Sequence, residues 1–280
     1  MTLIQAVILG IVEGLTEFLP VSSTGHQTIV AGLMGLQIDD PSITAFIAVI
    51  QVGAIAALVL YLRKDIARLL LAWFRGLFNA ANRTDPSYRE AWLVIIGSLP
   101  IAIVGLAAKN LIEGPLRSLW VVAIALIAWG FVMLVAEALA KQNRHEKDIG
   151  LKDALIIGGT QALALIPGVS RSGATISAGL LLGIDRVTAA RFGFLLGIPA
   201  LAGAAVLEIP AAVKTGGVGI GLTLVGTAVS FVVAYFTVAW MLRFVGKHSI
   251  RVFVWYRFAL AAVLIVMLTT GFLTATGVRT

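Results

Sequence analysis

No cysteine occurs in the 280-residue chain, which excludes a disulfide framework, thiolate catalysis and cysteine metal sites and leaves the compartment open. Charge is scarce too. Only 12% of the residues are Asp, Glu, Lys or Arg, about half the share in a soluble domain. Acidic residues are outnumbered, 14 against 21 basic, for a net charge of +7. In a soluble protein that excess would suggest nucleic acid. Here the basic residues flank apolar runs, so the excess reads as membrane orientation, and no nucleic-acid partner is expected. A basic leader is missing as well: MTLIQAVILG carries no Lys or Arg, and Glu13 and Glu17 interrupt the apolar stretch, so no cleavable signal is expected.

What the chain has is apolar sequence, 59% of its residues, concentrated in runs that match the roughly 20 residues a helix needs to cross a bilayer. Six runs read as full spans: about 42–62, 90–108, 118–138, 189–210, 218–242 and 252–272. Two further regions, about 2–36 and 153–183, are apolar but broken near the middle, by Leu19-Pro20-Val21-Ser22-Ser23-Thr24-Gly25 and by Pro167-Gly168-Val169-Ser170-Arg171-Ser172-Gly173. Each break leaves two arms too short to span and suited to a re-entrant helical hairpin. The basic loops are 63–89, with Arg63, Lys64, Arg68, Arg75, Arg83 and Arg89; 139–152, with Lys141, Arg144, Lys147 and Lys152; and the loop of Arg243, Lys247 and Arg251. The alternate loops hold only Lys109 and Arg117, or Lys214. The positive-inside rule puts the basic loops in the cytoplasm and both termini outside.

An internal repeat underlies this layout. At an offset of 148, Gln5-Ala6-Val7-Ile8-Leu9-Gly10 aligns with Asp153-Ala154-Leu155-Ile156-Ile157-Gly158, and Val21, Ser22, Gly25, Leu33 and Gly35 align with Val169, Ser170, Gly173, Leu181 and Gly183. Each half, about 1–140 and 150–275, holds one hairpin and three spans. Three is odd, so the second half runs upside down relative to the first, as in many transporters. The expected fold is thus an all-α integral membrane protein of one continuous domain over 1–280, with six transmembrane helices and two re-entrant hairpins in an inverted-topology repeat.

The polar residues of the breaks are the candidates for chemistry. Glu13 and Glu17 are four apart, so both carboxylates lie on one helical face. Such a pair suits a hard divalent cation, Mg²⁺ or Ca²⁺. Ser22, Ser23, Thr24 and Gly25 start a helical arm whose free N–H groups attract an anion. His26, one turn on, is placed to take a proton from a serine or give one to a leaving oxygen. In the second break, Arg171 between Ser170 and Ser172 carries a planar fork that fits phosphate, with Glu13 or Glu17 as its partner when the site is empty. Gln161, opposite Glu13 in the repeat, and Gln51 either line the cavity or bond between helices. Arg186, Arg191 and Arg257, near span ends, read as snorkelling anchors, and Glu137 and Glu208 as residues reaching the interface. Carboxylates, hydroxyls, His and Arg opening toward lipid suit a phosphorylated lipid.

At these residues the chain resembles the undecaprenyl-diphosphatase family, also called the bacitracin-resistance protein family. The resemblance lies in Glu13-Gly-Leu-Thr-Glu17-Phe-Leu-Pro-Val-Ser-Ser-Thr-Gly-His26 and Pro167-Gly-Val-Ser-Arg171-Ser-Gly-Ala-Thr-Ile176, with Val49-Ile50-Gln51-Val-Gly53 and Ala190-Arg191-Phe192-Gly193-Phe194-Leu195-Leu196 in support. It covers essentially the whole chain. The family commonly has Ser where this chain has Gly193, and the residue before Ser170 varies. The resemblance implies a phosphoric anhydride hydrolase that converts undecaprenyl diphosphate to undecaprenyl phosphate and inorganic phosphate. That reaction recycles the lipid carrier for peptidoglycan, and higher enzyme levels would confer bacitracin resistance. The resemblance further implies dependence on a divalent cation, a bacterial inner membrane and a site facing the periplasm. By motif position Glu13, Glu17, Ser23, His26, Ser170 and Arg171 take the site roles. The expected mechanism has Glu13 and Glu17 holding the cation, and Arg171, Ser170 and the helix N-termini binding the diphosphate. Ser23, activated by His26, attacks phosphorus; direct attack by water with His26 as base stands beside it. A flippase of undecaprenyl phosphate is the reading from a different class, and a homodimer is left open.

Overall fold

The computed structural model describes residues 1–37, 40–114, 116, 118–214 and 218–276, and of residues 113 and 207–214 it describes the backbone alone. The expectations for Arg117, Lys214 and Glu208 lie outside the described residues and side chains. The described chain is helical throughout, its one β-feature an isolated bridge between Arg144 and Ile184.

The helices are α1 (Leu3–Thr16), α2 (Ser23–Leu33), α3 (Pro41–Tyr61), α4 (Arg63–Phe78), α5 (Pro86–Ala107), α6 (Lys109–Glu113), α7 (Leu119–Leu139), α8 (Leu151–Ala162), α9 (Arg171–Leu181), α10 (Arg186–Lys214), α11 (Ile220–Val245) and α12 (Arg251–Thr269). Six of them, α3, α5, α7, α10, α11 and α12, are long and apolar enough to cross a membrane, and they coincide with the six expected runs. Two start the same way. Asp40 and Asp85 each accept the N–H of the residue two places on, at 2.8 Å, and a proline follows each aspartate at the first helical position. The side chain satisfies an otherwise orphaned donor, and proline lacks the N–H that would need one.

The two broken regions fold back on themselves. The Gln5 side chain at the start of α1 donates to the Met34 carbonyl at the end of α2, at 3.2 Å. In the second region Arg144 joins Asp153, in the first turn of α8, to the Leu182 carbonyl at the end of α9, each at 2.9 Å. The joined positions, 5 with 34 and 153 with 182, differ by the repeat offset. Each region packs on a span from the other half: α1 lies against α11 and α8 against α5, while α3 meets α10 and α7 meets α12. Small residues allow the close approach. A methyl built on Gly10 would stand 2.6 Å from the Gly226 carbonyl, and one built on Gly158 would overlap the Gly97 carbonyl.

One element is absent from the sequence reading. The 63–89 segment is not a plain basic loop, because Arg63–Phe78 forms a helix. It buries Leu69, Ala72 and Gly76 and exposes Leu70, Leu71, Phe74 and Phe78 on a stripe beside Lys64 and Arg75. That is the pattern of a helix lying in a membrane interface. Its charges had masked its period.

The expectations for four further residues are corrected. Arg186 does not snorkel. Its guanidinium grips Glu137 through two bonds of 2.8 and 2.6 Å, and Glu137 also accepts the Ile250 N–H at 2.9 Å, so this carboxylate is buried and does not reach the interface. Arg191 pairs with Asp65 of α4. Arg257 is fully buried. In each case the helix turns the arginine toward a polar partner, and an unpaired charge inside an apolar bundle is far more costly.

Candidate active site

The site forms where the two breaks meet. Both use the same backbone device. Ser22 and Ser170 have φ of +74° and +76°, a left-handed conformation that costs non-glycine residues about 1–3 kcal/mol. Each caps the helix after it, Ser22 Oγ accepting the Gly25 N–H at 3.3 Å and Ser170 Oγ accepting the Gly173 N–H at 3.2 Å. The hydroxyls also join the breaks to each other. Ser22 Oγ accepts the Gly168 N–H at 3.0 Å, and Ser172 Oγ donates to the Leu19 carbonyl at 2.8 Å. Ser22, Ser170 and Ser172, expected as phosphate ligands, therefore also brace the scaffold, Ser22 only as an acceptor. Gly25 is buried, Ser23 is half-buried and Thr24 is exposed, so Ser23 and Thr24 are the hydroxyls nearest an entrance.

Glu17 is the centre of the cluster. Its Oε2 accepts the Ser23 hydroxyl at 2.6 Å and lies 3.5 Å from the Gln51 amide, and its Oε1 accepts Arg171 Nη2 at 3.0 Å. The carboxylate comes from the first break and its cation from the second. Arg171 keeps one donor in reserve, because its buried Nε–H has no partner among the described residues. Glu13, one turn back on the same face, is buried and accepts the Gln27 amide at 3.2 Å. Glu13 Oε1 and Gln27 Oε1 are both buried without a partner among the described residues.

His26 does not touch Ser23. Its Nδ1 is 2.7 Å from the Ser22 carbonyl and its Nε2 is 2.7 Å from the Tyr256 hydroxyl. A carbonyl only accepts, so the neutral ring carries its proton on Nδ1 and Nε2 takes the Tyr256 O–H. The expected pairing of Ser23 with His26 is thus replaced by Ser23 with Glu17. Gln51 sits at the edge of the cluster. Gln161 makes no hydrogen bond to it: it is fully buried in α8, and neither end of its amide has a partner among the described residues.

Comparison with known proteins decides the family. Residues 6–263 match the model of the bacitracin resistance protein BacA. The chain is 54% identical to undecaprenyl-diphosphatase 3 of Frankia casuarinae, over 99% of this chain and 100% of that protein. It is 52% identical to the undecaprenyl-diphosphatase of Acidothermus cellulolyticus, over 96% and 97% of the two chains. A third relative, undecaprenyl-diphosphatase 1 of Streptomyces avermitilis, is 55% identical over 96% and 97%. The chain belongs to the BacA family.

In this BacA-family chain, three residues near the site carry no expectation from the sequence, Gln27, Gly197 and Tyr256, and a fourth, Arg257, carries the wrong one, a snorkelling anchor. Gln27 follows His26 in the helical arm, and no local pattern marks it. Gly197 leaves room for Arg171, since a methyl there would overlap the guanidinium; nothing local in the sequence announces that. Tyr256 and Arg257 did carry a signal. Arg257 lies five residues inside an apolar run, and an intramembrane arginine is a functional candidate by default. Gly197→Ala will push Arg171 off Glu17 and lower phosphate release about 10²-fold, the cost of an ångström-scale misplacement. Phosphate assays on a variant with an unchanged gel-filtration profile check this.

Proposed function

We propose that this protein hydrolyses undecaprenyl diphosphate to undecaprenyl phosphate and inorganic phosphate, in a bacterial inner membrane, from a site open to the periplasm. The observation that carries the reading is the Glu17 carboxylate, which holds the Ser23 hydroxyl at 2.6 Å and Arg171 at 3.0 Å. A nucleophile, a base and a phosphate-binding fork meet there at one point. The relatives' name, undecaprenyl-diphosphatase, agrees with it.

In the proposed reaction, the terminal phosphate draws Arg171 from its ion pair and occupies the free Nε–H as well. Glu17, released from that pair, takes the Ser23 proton. Ser23 Oγ bonds to phosphorus, the bond to the bridging oxygen breaks, and undecaprenyl phosphate leaves with the electron pair. Water then attacks the phosphoserine. The bond between Ser23 Oγ and phosphorus breaks as Oγ recovers the proton from Glu17; Glu17 takes one from the water and passes it to the departing phosphate, returning to carboxylate. Phosphoryl transfer of this kind depends chiefly on positioning and charge neutralisation. Direct attack by water with His26 as the base would need Nε2 to exchange Tyr256 for water.

The donor set fits a divalent cation. Glu13 Oε1 and Gln27 Oε1 are buried oxygens without a partner, the ligands that hard ions prefer. Glu13 and Glu17 would hold the ion beside Gln27. The described residues contain no group of three or more acidic, His or Cys side chains placed to hold a metal ion, so substrate oxygens would complete the shell, as is common for Mg²⁺. The ion supplies charge neutralisation for the diphosphate. The inverted repeat with two re-entrant hairpins draws support from the paired caps at Ser22 and Ser170 and from the matched closures at Met34 and Leu182.

Purified protein in detergent tests the reading, because phosphate release needs no second compartment. Release from undecaprenyl diphosphate with Mg²⁺ or Ca²⁺ present, lost on chelation and restored by the ion, is the expected result. No release under those conditions, with Arg171→Ala behaving like the parent, would leave lipid flipping as the better account.

A further inference from the structure

The buried polar group that the proposed chemistry leaves unused is Arg257, in the middle of the bundle on α12. Its five N–H donors make five hydrogen bonds, all to backbone carbonyls. Nε donates to Leu126 at 3.2 Å. Nη1 donates to Pro20 and Val169, both at 3.1 Å. Nη2 donates to Ala125 at 3.3 Å and Gly168 at 2.7 Å. The guanidinium has five donors in all, so none is spare, and no carboxylate is among its partners. Arginine held in this way cannot bind substrate. It also cannot be replaced cheaply, since the carbonyls of Pro20, Gly168 and Val169, which lie outside the helices, would be buried without it.

The choice of carbonyls is specific. Pro20 lies two residues before the Ser22 cap, and Gly168 and Val169 directly precede the Ser170 cap. One side chain thus ties together the peptides leading into both strained turns. Those turns set the directions of Ser23 and Arg171, which meet on Glu17. The residue before Arg257 acts on the same site, since the Tyr256 hydroxyl, on the half-exposed rim, donates to His26 Nε2 at 2.7 Å.

We propose that the consecutive pair Tyr256–Arg257 is the positioning device of this site: Arg257 fixes the two breaks against each other and against α7, and Tyr256 fixes the ring of His26. Neither touches the reacting atoms. Arg257 acts through Ser23 and Arg171, which do, and Tyr256 acts through His26, whose Nδ1–H holds the Ser22 carbonyl of the first turn at 2.7 Å, so their loss appears in turnover while ground-state binding persists. The charge of Arg257 and its clamp are separable. Lysine keeps the charge but has three donors, so at least two of the five carbonyls lose their partner.

The inference rests on the hydrolase reading, so the parent protein is assayed in parallel for phosphate release from undecaprenyl diphosphate. An inactive parent would defeat that reading; an active parent isolates the positioning claim. Arg257→Lys is expected to lower kcat about 10²-fold with KM within a few-fold of the parent, as for a displaced catalytic group. Tyr256→Phe, a rim substitution that keeps the ring, is expected to lower kcat about tenfold at unchanged Tm, a typical loss for a residue that orients another. The ¹⁵N signals of the His26 imidazole should also show Nε2 losing its hydrogen-bond donor. If Arg257→Lys lowers Tm but the folded fraction turns over like the parent, Arg257 is only structural and the proposal fails for it. If Tyr256→Phe changes neither kcat nor the His26 signals, it fails for Tyr256.

Discussion

Glu17→Gln will reduce kcat for phosphate release by about 10³-fold, at the upper end of what a positioned proton acceptor contributes. Three contacts converge on this carboxylate: Ser23 at 2.6 Å, Arg171 at 3.0 Å and Gln51 at 3.5 Å. Glutamine has the same shape and can still accept a hydrogen bond from Arg171, so the variant keeps its fold and most of its geometry. What it loses is the capacity to take the Ser23 proton. Arg171 also loses its anion, and because both side chains are nearly buried (10% and 4% exposed), a stability loss of about 3–5 kcal/mol is the upper bound for breaking such a pair. Glu17→Asp separates the effects. The shorter acid still accepts a proton but stands back from Ser23 and Arg171, so its kcat should fall between the parent and glutamine. The measurements are steady-state phosphate release and a thermal melt on the same preparations. Activity of Glu17→Gln within tenfold of the parent would remove Glu17 as the base.

The spans and breaks were legible because the bilayer imposes coarse rules. About 20 apolar residues make a span, and a Pro-Val-Ser-Ser or Pro-Gly-Val-Ser interruption ends a helix wherever it occurs. The likeness of the two breaks was legible too, since each places a capping serine, Ser22 or Ser170, at a positive φ before its helix. The helix α4 was not, because its interfacial face mixes Arg63, Lys64, Arg68 and Arg75 with leucines and phenylalanines, and charge counted over a loop hides a 3.6-residue period. At the site, residue types indicated phosphate chemistry, yet the partners depended on rotation about helix axes that the sequence does not display. His26 faces α12 and not Ser23. Arg257 points into the bundle and not along it, and Ser172 reaches across to Leu19. Snorkelling was a fair expectation for an arginine near a span end, and it held for neither Arg186 nor Arg257, because each had a polar partner within reach in the bundle.

Ser23→Ala carries the second large effect, and it divides the two proposed chemistries. Ser23 is half-buried near an exposed Thr24, its Oγ–H already directed at Glu17 Oε2 at 2.6 Å. The hydroxyl is therefore in the state a nucleophile needs before attack, hydrogen-bonded to a base that is itself held by a cation. Alanine leaves that base, Arg171 and the Ser22 cap in place, because the cap hydroxyl that holds Gly25 and Gly168 belongs to Ser22. Folding should be unaffected, with a change inside the roughly 0.5 kcal/mol of a neutral substitution. Turnover should fall by at least about 10³-fold, since without a hydroxyl only binding and charge neutralisation remain. Rapid acid quench of the parent with diphosphate labelled at the terminal phosphorus should trap label on Ser23, and the alanine variant should trap none. If water attacks directly, the label is never protein-bound and Ser23→Ala keeps much of its rate. Glu17 would then still be required, because the same carboxylate can take a proton from water as readily as from serine, whereas His26 as the base would make Tyr256→Phe faster than the parent by freeing Nε2. The three variants together therefore assign the nucleophile and the base separately: loss in both Ser23→Ala and Glu17→Gln marks the covalent route, loss in Glu17→Gln alone marks water activated by Glu17, and a gain in Tyr256→Phe marks His26.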